Sequence, residues 1–290
     1  MRHDSDIRRL LAAFRRKPVD RIPNWEILIE SRNVDALLEP KPGVNTRGLS
    51  PRLYVELAQK IGMDAIAYRF EWDFGIPGLI EDWPDLERAI PHPDYDEAMA
   101  QLRARIEATR GTGVGVCFWT GTSFSHTYNK LGFDNFMYKL YDDPEFVTRV
   151  MDMYADHYYN LMLRACEEDI SFCYMGDDLA GKTSTLVSPA VLERLWYPRA
   201  QRIIEPARRK GIPLLFHCDG FLEQVIPYII KLGFNAVHPV EPYGNDIYRL
   251  KRLFGKDICL VGNIDIAGVL AFGAPAGVAI FSNGKRQGAG

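Results

Sequence analysis

Two hydrophobic rhythms take turns along the chain. Short apolar runs recur at Trp25–Ile29, Asp64–Phe70, Val114–Trp119, Ser171–Met175, Ile212–Phe216, Phe234–Val237 and Ile258–Val261, and each reads as a buried strand. The stretches between them carry helical spacing. In Asp6–Lys17, Ile7, Leu10, Leu11 and Phe14 share a face before Pro18 ends it. Ser50 and Pro51 read as N-cap and first position of a helix over Arg52–Ile61, stopped by Gly62. Asp94–Thr109 aligns Met99, Leu102 and Ile106. Asn135–Leu140 and Pro144–Glu167 make the middle helical, and the Tyr- and Met-rich second of these reads as core. Ser188-Pro189 opens a helix to Lys210 in which Pro198 and Pro206 predict kinks. Phe221–Lys231 and Asp246–Phe254 read as helices after the strands Ile212–Phe216 and Phe234–Val237, while 40–49 and 74–93 read as loop, the latter with one helical turn.

Strand then helix, repeated at about 25–50 residues per unit, predicts a TIM-type (β/α)8 barrel. No composition shift or linker divides residues 1–290, so a single domain is expected. After Asp265, where an eighth strand belongs, the sequence turns to glycine and alanine. Only Val278–Phe281 reads as a stub strand, and 274–290 reads as an atypical tail. The barrel is therefore expected to be truncated or altered after its seventh strand. Open strand edges invite another chain, which predicts a homo-oligomer.

Composition narrows the function. Of 290 residues 47% are hydrophobic, enough for a large core, and the net charge is −3. No basic bias points to nucleic acid, and no apolar run of about eighteen residues predicts a membrane span. The amino terminus is charged and lacks a signal-peptide core. Five scattered cysteines with no CxxC pair suit a reducing, cytoplasmic setting.

Polar chemistry gathers just past the strand ends, where barrel enzymes carry their active sites. His217-Cys218-Asp219-Gly220 is the strongest signal. Two residues apart on an extended chain, His217 and Asp219 share a face and can hold a metal or move a proton, or simply bond one another in a turn. Glu241 can complete a metal-binding set with them; Cys218 points the other way, and His238 reads as a packed histidine. Asp177 and Asp178 are candidate catalytic carboxylates, one entering the site and one capping a backbone turn. Glu71 and Asp73 form a second catalytic pair on one face. Asn263, Asp265 and the loop residue His126 are candidate substrate contacts.

Four stretches taken together resemble the uroporphyrinogen decarboxylase superfamily: Arg21-Ile22-Pro23; Gly176-Asp177-Asp178 with Ser188-Pro189; the His217–Gly220 block with Asn235, Glu241 and Pro242; and Gly262-Asn263-Ile264-Asp265. The resemblance covers roughly residues 1–273. It implies a βα barrel and two activities, decarboxylation in the heme pathway and zinc-dependent methyl transfer involving corrinoid proteins. Glu71 and Asp73 lie near the position where the family places an essential Asp. The arginine-rich amino-terminal stretch of the decarboxylases is replaced here by Pro23-Asn24-Trp25-Glu26-Ile27-Leu28, which argues against uroporphyrinogen as substrate; an arginine-lined pocket would favour the decarboxylase reading. The coenzyme M branch carries His-x-Cys, and here Asp219 stands in the Cys position. The resemblance thus implies methyl transfer between a small-molecule substrate and a corrinoid protein, assisted by zinc or another divalent metal. The cobalamin would ride on a partner protein, since no Asp-x-His-x-x-Gly cobalamin signature occurs in the chain. The alternatives are a decarboxylase of a tetrapyrrole or other carboxylate, and a truncated, non-catalytic copy.

Overall fold

A computed structural model describes residues 4–76, 78–90 and 93–273. Six parallel strands lie side by side in chain order: β1 (Ala65–Arg69), β2 (Gly115–Gly121), β3 (Phe172–Gly176), β4 (Leu214–His217), β5 (Ala236–His238) and β6 (Cys259–Leu260). The helices before β1 are α1 (Ile7–Phe14), α2 (Ser31–Leu37) and α3 (Pro51–Ile61). Between β1 and β2 come α4 (Trp83–Glu87) and α5 (Tyr95–Thr109), and between β2 and β3 come α6 (Phe124–Leu131), α7 (Phe133–Asp142) and α8 (Pro144–Ala165). α9 (Pro189–Val191) and α10 (Tyr197–Lys210) precede β4, and α11 (Ile226–Leu232) and α12 (Ile247–Phe254) flank β5. This is the TIM-type arrangement, open between β6 and the amino-terminal segment among the described residues.

Period-two alternation sorts the strand side chains into two cores. Ala65, Ala67, Cys117, Phe172, Tyr174, Leu215 and Ala236 face inward, with Trp25, Ile27, Trp119, Cys259 and Val261 against them. The opposite row, including Ile66, Phe118, Met175 and Phe216, packs under the helices. α1 closes the amino-terminal end: Leu10 and Phe14 enter the inner core, and Phe14 meets Phe172 edge-on at 5.3 Å. Buried Asp64 fastens that end. It accepts from Arg9 at 2.7 Å, from the Asp6 N–H at 2.8 Å, from the Asn24 N–H at 3.0 Å and from Arg21 at 3.3 Å.

Local chemistry explains most element ends. Ser50 accepts from the Leu53 N–H, Pro51 begins α3, and Gly62 ends it at φ 71°. Where expectation and structure part, a competing contact is visible. Trp25–Ile29 sends Trp25 and Ile27 into the barrel but makes no ladder with β1, because the Ala67 N–H is taken by the Tyr54 hydroxyl at 3.4 Å and Ile29 bonds Thr46 instead. That expected first strand is thus an extended segment. The loop assigned to His126 is α6, whose first N–H groups are held by Asp177. The helix expected from Phe221 starts at Ile226, since the Phe221 and Leu222 N–H groups go to the Gly181 carbonyl and the Asn245 side chain. Before Tyr197-Pro198 the backbone widens into a π-helical turn, Leu192–Trp196; Pro198 has no N–H to give to the preceding turn. Val278–Phe281 and the rest of 274–290 lie outside the described residues. No described helix is long and apolar enough to cross a membrane.

Candidate active site

β3, β4 and β5 end level with one another, and their inward rows deliver Tyr174, His217 and His238 to the carboxyl-terminal mouth. Gly176 lies in the same inward row, where a side chain would make only ordinary contacts. A Cβ there would stand within 3.7 Å of the His217 ring and 3.8 Å of the Trp119 indole nitrogen.

Asp177 and Asp178 divide as adjacent strand residues must. Asp177 is buried and turns to α6, accepting from the Ser125 N–H at 2.6 Å and the Phe124 N–H at 3.3 Å. Burial pushes its pKa up to about 7 against those hydrogen bonds. Asp178 turns to the mouth, where its Oδ1 accepts from the Asp219 N–H at 3.0 Å and lies 3.7 Å from His217 Nε2. Asp219 Oδ1 is 3.6 Å from the same nitrogen. One donor atom from each of Asp178, His217 and Asp219 lies within 4.8 Å of the others. Burial first, then the charges of Asp178 and Glu241, raise Asp219 to about 6, although its carboxyl is half exposed and solvent screens part of this.

The ring of His217 is held from behind. His217 Nδ1 and His238 Nδ1 are 3.0 Å apart, so one nitrogen donates and the other accepts. Burial lowers the pKa of both rings, that of His238 to about 3. Tyr174 packs 5.5 Å from His217, and its hydroxyl is buried without a partner among the described residues. Gly220, at φ 86°, lets the chain pass Gly181: a Cβ would meet the Gly181 carbonyl oxygen at 2.4 Å.

Glu241 does not join the cluster of donor atoms. Its Oε2 accepts from the Gly220 N–H at 3.3 Å, and Asp178 holds the third place assigned to it by spacing. Cys218 is buried, and its sulfur lies 3.3 Å from the Leu179 N–H. Glu71 and Asp73 stand apart from the cluster: Glu71 pairs with Arg69 at 2.7 Å, and Asp73 accepts from the Gly75 N–H at 3.0 Å. Asn263 donates to the Val240 carbonyl at 2.5 Å, and Asp265 caps the turn at Gly268 at 2.7 Å, so both shape the loop after β6. His126 packs on Tyr158 at 5.0 Å, with Nδ1 sealed from solvent and without a partner among the described residues.

Spacing alone missed two features. His238 was expected to be a packing residue and is the partner of His217. Arg47, Arg69 and Arg105 line one cavity of about 150 Å³ together with Ile27, Tyr54, Glu71 and Trp119. Arg69 was legible, because it shares the inward row of Ala65 and Ala67; nothing in the sequence ties Arg47 or Arg105 to it.

The sequence profile of the uroporphyrinogen decarboxylase (URO-D) family matches residues 82–280. A methyltransferase from Methanosarcina mazei shares the fold at a TM-score of 0.65 and 17% identity, over 90% of this chain and 83% of that one. A putative mandelate racemase/muconate lactonizing enzyme from Labrenzia alexandrii aligns over 81% of this chain and 55% of that one at 16% identity, with a TM-score of 0.32, too low to carry an argument. No curated protein matches the chain in sequence.

Proposed function

The chain belongs to the uroporphyrinogen decarboxylase family, and from that premise we propose that it transfers a methyl group between a small methylated substrate and a corrinoid protein, assisted by a divalent metal. The observation that carries this reading is the convergence of Asp178, His217 and Asp219. One imidazole nitrogen and two carboxylate oxygens at a half-exposed mouth would suit a catalytic divalent ion. Like charges crowd there as well, which a cation would relieve. The set fits zinc or a similar ion, held by His217 Nε2 and the two carboxylates. Such an ion supplies Lewis acidity to the substrate heteroatom that gives up its methyl group.

The chain's own residues prepare that site. With Nε2 given to a metal, His217 would carry its proton on Nδ1 and donate to His238 Nδ1, which would fix the ring's tautomer and direction. Asp178 is oriented by the Asp219 N–H. Asp177 is proposed to act through position rather than chemistry, anchoring α6 beside the mouth. The cobalamin would be carried by a separate corrinoid protein. The fold likeness to a methyltransferase from Methanosarcina mazei supports the reading.

A second reading, decarboxylation of a carboxylate substrate, is favoured by the three-arginine cavity. One set of experiments separates the two. On the first reading, purified protein carries about one divalent ion per chain; His217→Ala loses it and Cys218→Ser keeps it. Metal-loaded protein methylates free cob(I)alamin from methylated substrates, and uroporphyrinogen is not turned over. Full metal retention by His217→Ala would remove the site, and coproporphyrinogen formed at a catalytic rate would promote the second reading.

A further inference from the structure

The cavity beside β1 holds more positive charge than its own residues neutralise. Arg69 extends from the end of β1, Arg47 from the loop after α2, and Arg105 from α5. Arg69 and Arg47 share a single carboxylate, Glu71, at 2.7 and 3.8 Å, and Glu71 is 57% exposed. Both guanidiniums also lie against the Trp119 ring, at 4.1 and 5.0 Å. No carboxylate pairs with Arg105 among the described residues. It lies 4.7 Å from the Tyr68 ring, donates to the Gln101 carbonyl at 3.3 Å, and keeps a buried Nε with no partner. Burial lowers the pKa of Arg69 and Arg105, the direction expected where desolvation is not offset by nearby anions. Two half-buried guanidiniums and the more exposed Arg47 around one anion are costly to hold together, and an anion brought from outside removes that cost.

We propose that Arg47, Arg69 and Arg105 form a binding site for the carboxylate of a small organic acid, the anchoring end of the substrate. The assignment rests on the methyl-transfer reading for the identity of the reacting end. The wall is continuous with the candidate site: Trp119 meets Tyr174 at 5.3 Å, and Tyr174 meets His217 at 5.5 Å. A guanidinium fork matches two carboxylate oxygens, while Ile27, Ala67 and Tyr54 offer the rest of the cavity to carbon. A volume of about 150 Å³ accommodates an acid group with a few carbons.

The test is calorimetric titration of the purified full-length chain at low salt with benzoate, with neutral benzamide and inorganic phosphate alongside. Benzoate is expected to bind saturably and benzamide not. Arg69→Gln and Arg105→Gln should each weaken benzoate by about tenfold or more, since each removes a hydrogen bond to a charged group. Arg105→Lys should recover part of the loss. Glu71→Gln, which removes the competing carboxylate, should tighten binding, an outcome that misfolding cannot imitate. Metal content is measured on the same samples: Arg69→Gln should keep its metal, and His217→Ala should lose metal yet still bind benzoate, so the two assignments fail separately. Absence of benzoate binding, unweakened binding by both glutamine variants, equal affinity for benzamide, or phosphate binding tighter than benzoate would overturn the carboxylate assignment.

Discussion

His217 has two ring nitrogens with separate tasks, and the separation is what makes His238 matter. Nε2 faces Asp178 and Asp219, and Nδ1 faces His238. Replacing His238 with Phe removes the hydrogen-bond partner of Nδ1 and frees the ring to turn. Metal affinity, read by competition with a chromogenic chelator, is expected to fall by about 10–100-fold, with His238→Asn recovering part of it. Unchanged affinity in His238→Phe would mean that the ring is oriented by packing alone. His126 gives a residue-scale pH dependence. Burial, then the charges of Arg69 and His157, lower its pKa from 6.5 to about 3. The unfolded chain therefore takes up a proton that the folded imidazole refuses. This contribution to stability is complete above about pH 6.5 and is lost progressively as pH falls toward 3. His126→Gln should flatten the stability–pH curve across that window by up to about 1.4 kcal/mol per pH unit. Denaturant melts at several pH values measure it, and an unchanged slope would show that the ring opens to solvent.

At the scale of elements, polar side chains decide where helices begin and how they dock. Asp177 draws the start of α6 to the end of β3, and Asp64 draws α1 and the Asn24 backbone to the start of β1. Asp64 is fully buried beside Arg9, whose side chain is 9% exposed. Asp64→Ala removes every one of these acceptors at once. Breaking a buried pair from one side costs about 3–5 kcal/mol, so the midpoint of urea unfolding should drop accordingly. A loss below about 1 kcal/mol, the scale of a surface ion pair, would show that Asp20 carries Arg9 without help.

At the scale of the whole molecule, the side of the sheet that is open among the described residues is the main liability. Among the described residues β6 pairs with β5 alone, and Leu253 before it and Ile266, Leu270 and Phe272 after it are exposed, Phe272 by 90%. An unpaired edge beside exposed apolar side chains favours association. Light scattering at micromolar concentration is expected to report a dimer or larger assembly, with Phe272→Asp shifting it toward monomer. A monodisperse monomer before substitution would refute this.

Most of the barrel was legible because its determinants are local. An inner strand of a parallel sheet is apolar on both faces, and Ser50-Pro51 with Gly62 bounds α3 by backbone chemistry confined to a few residues. The carboxylates and histidine at the ends of β3 and β4 could be read for the same reason: period two fixes which side chains share a face. Contacts between units are another matter. Whether Trp25–Ile29 became a strand depended on Tyr54 reaching the Ala67 N–H, thirteen residues away. Whether Glu241 or Asp178 stood third beside His217 and Asp219 depended on the relative height of strand ends, and the gathering of Arg47, Arg69 and Arg105 depended on a loop, a strand and a helix meeting at one wall. Hydrophobic period and capping act over a turn or two of chain and are written in the sequence; distances between side chains from different units are set only when the strands register and the helices pack.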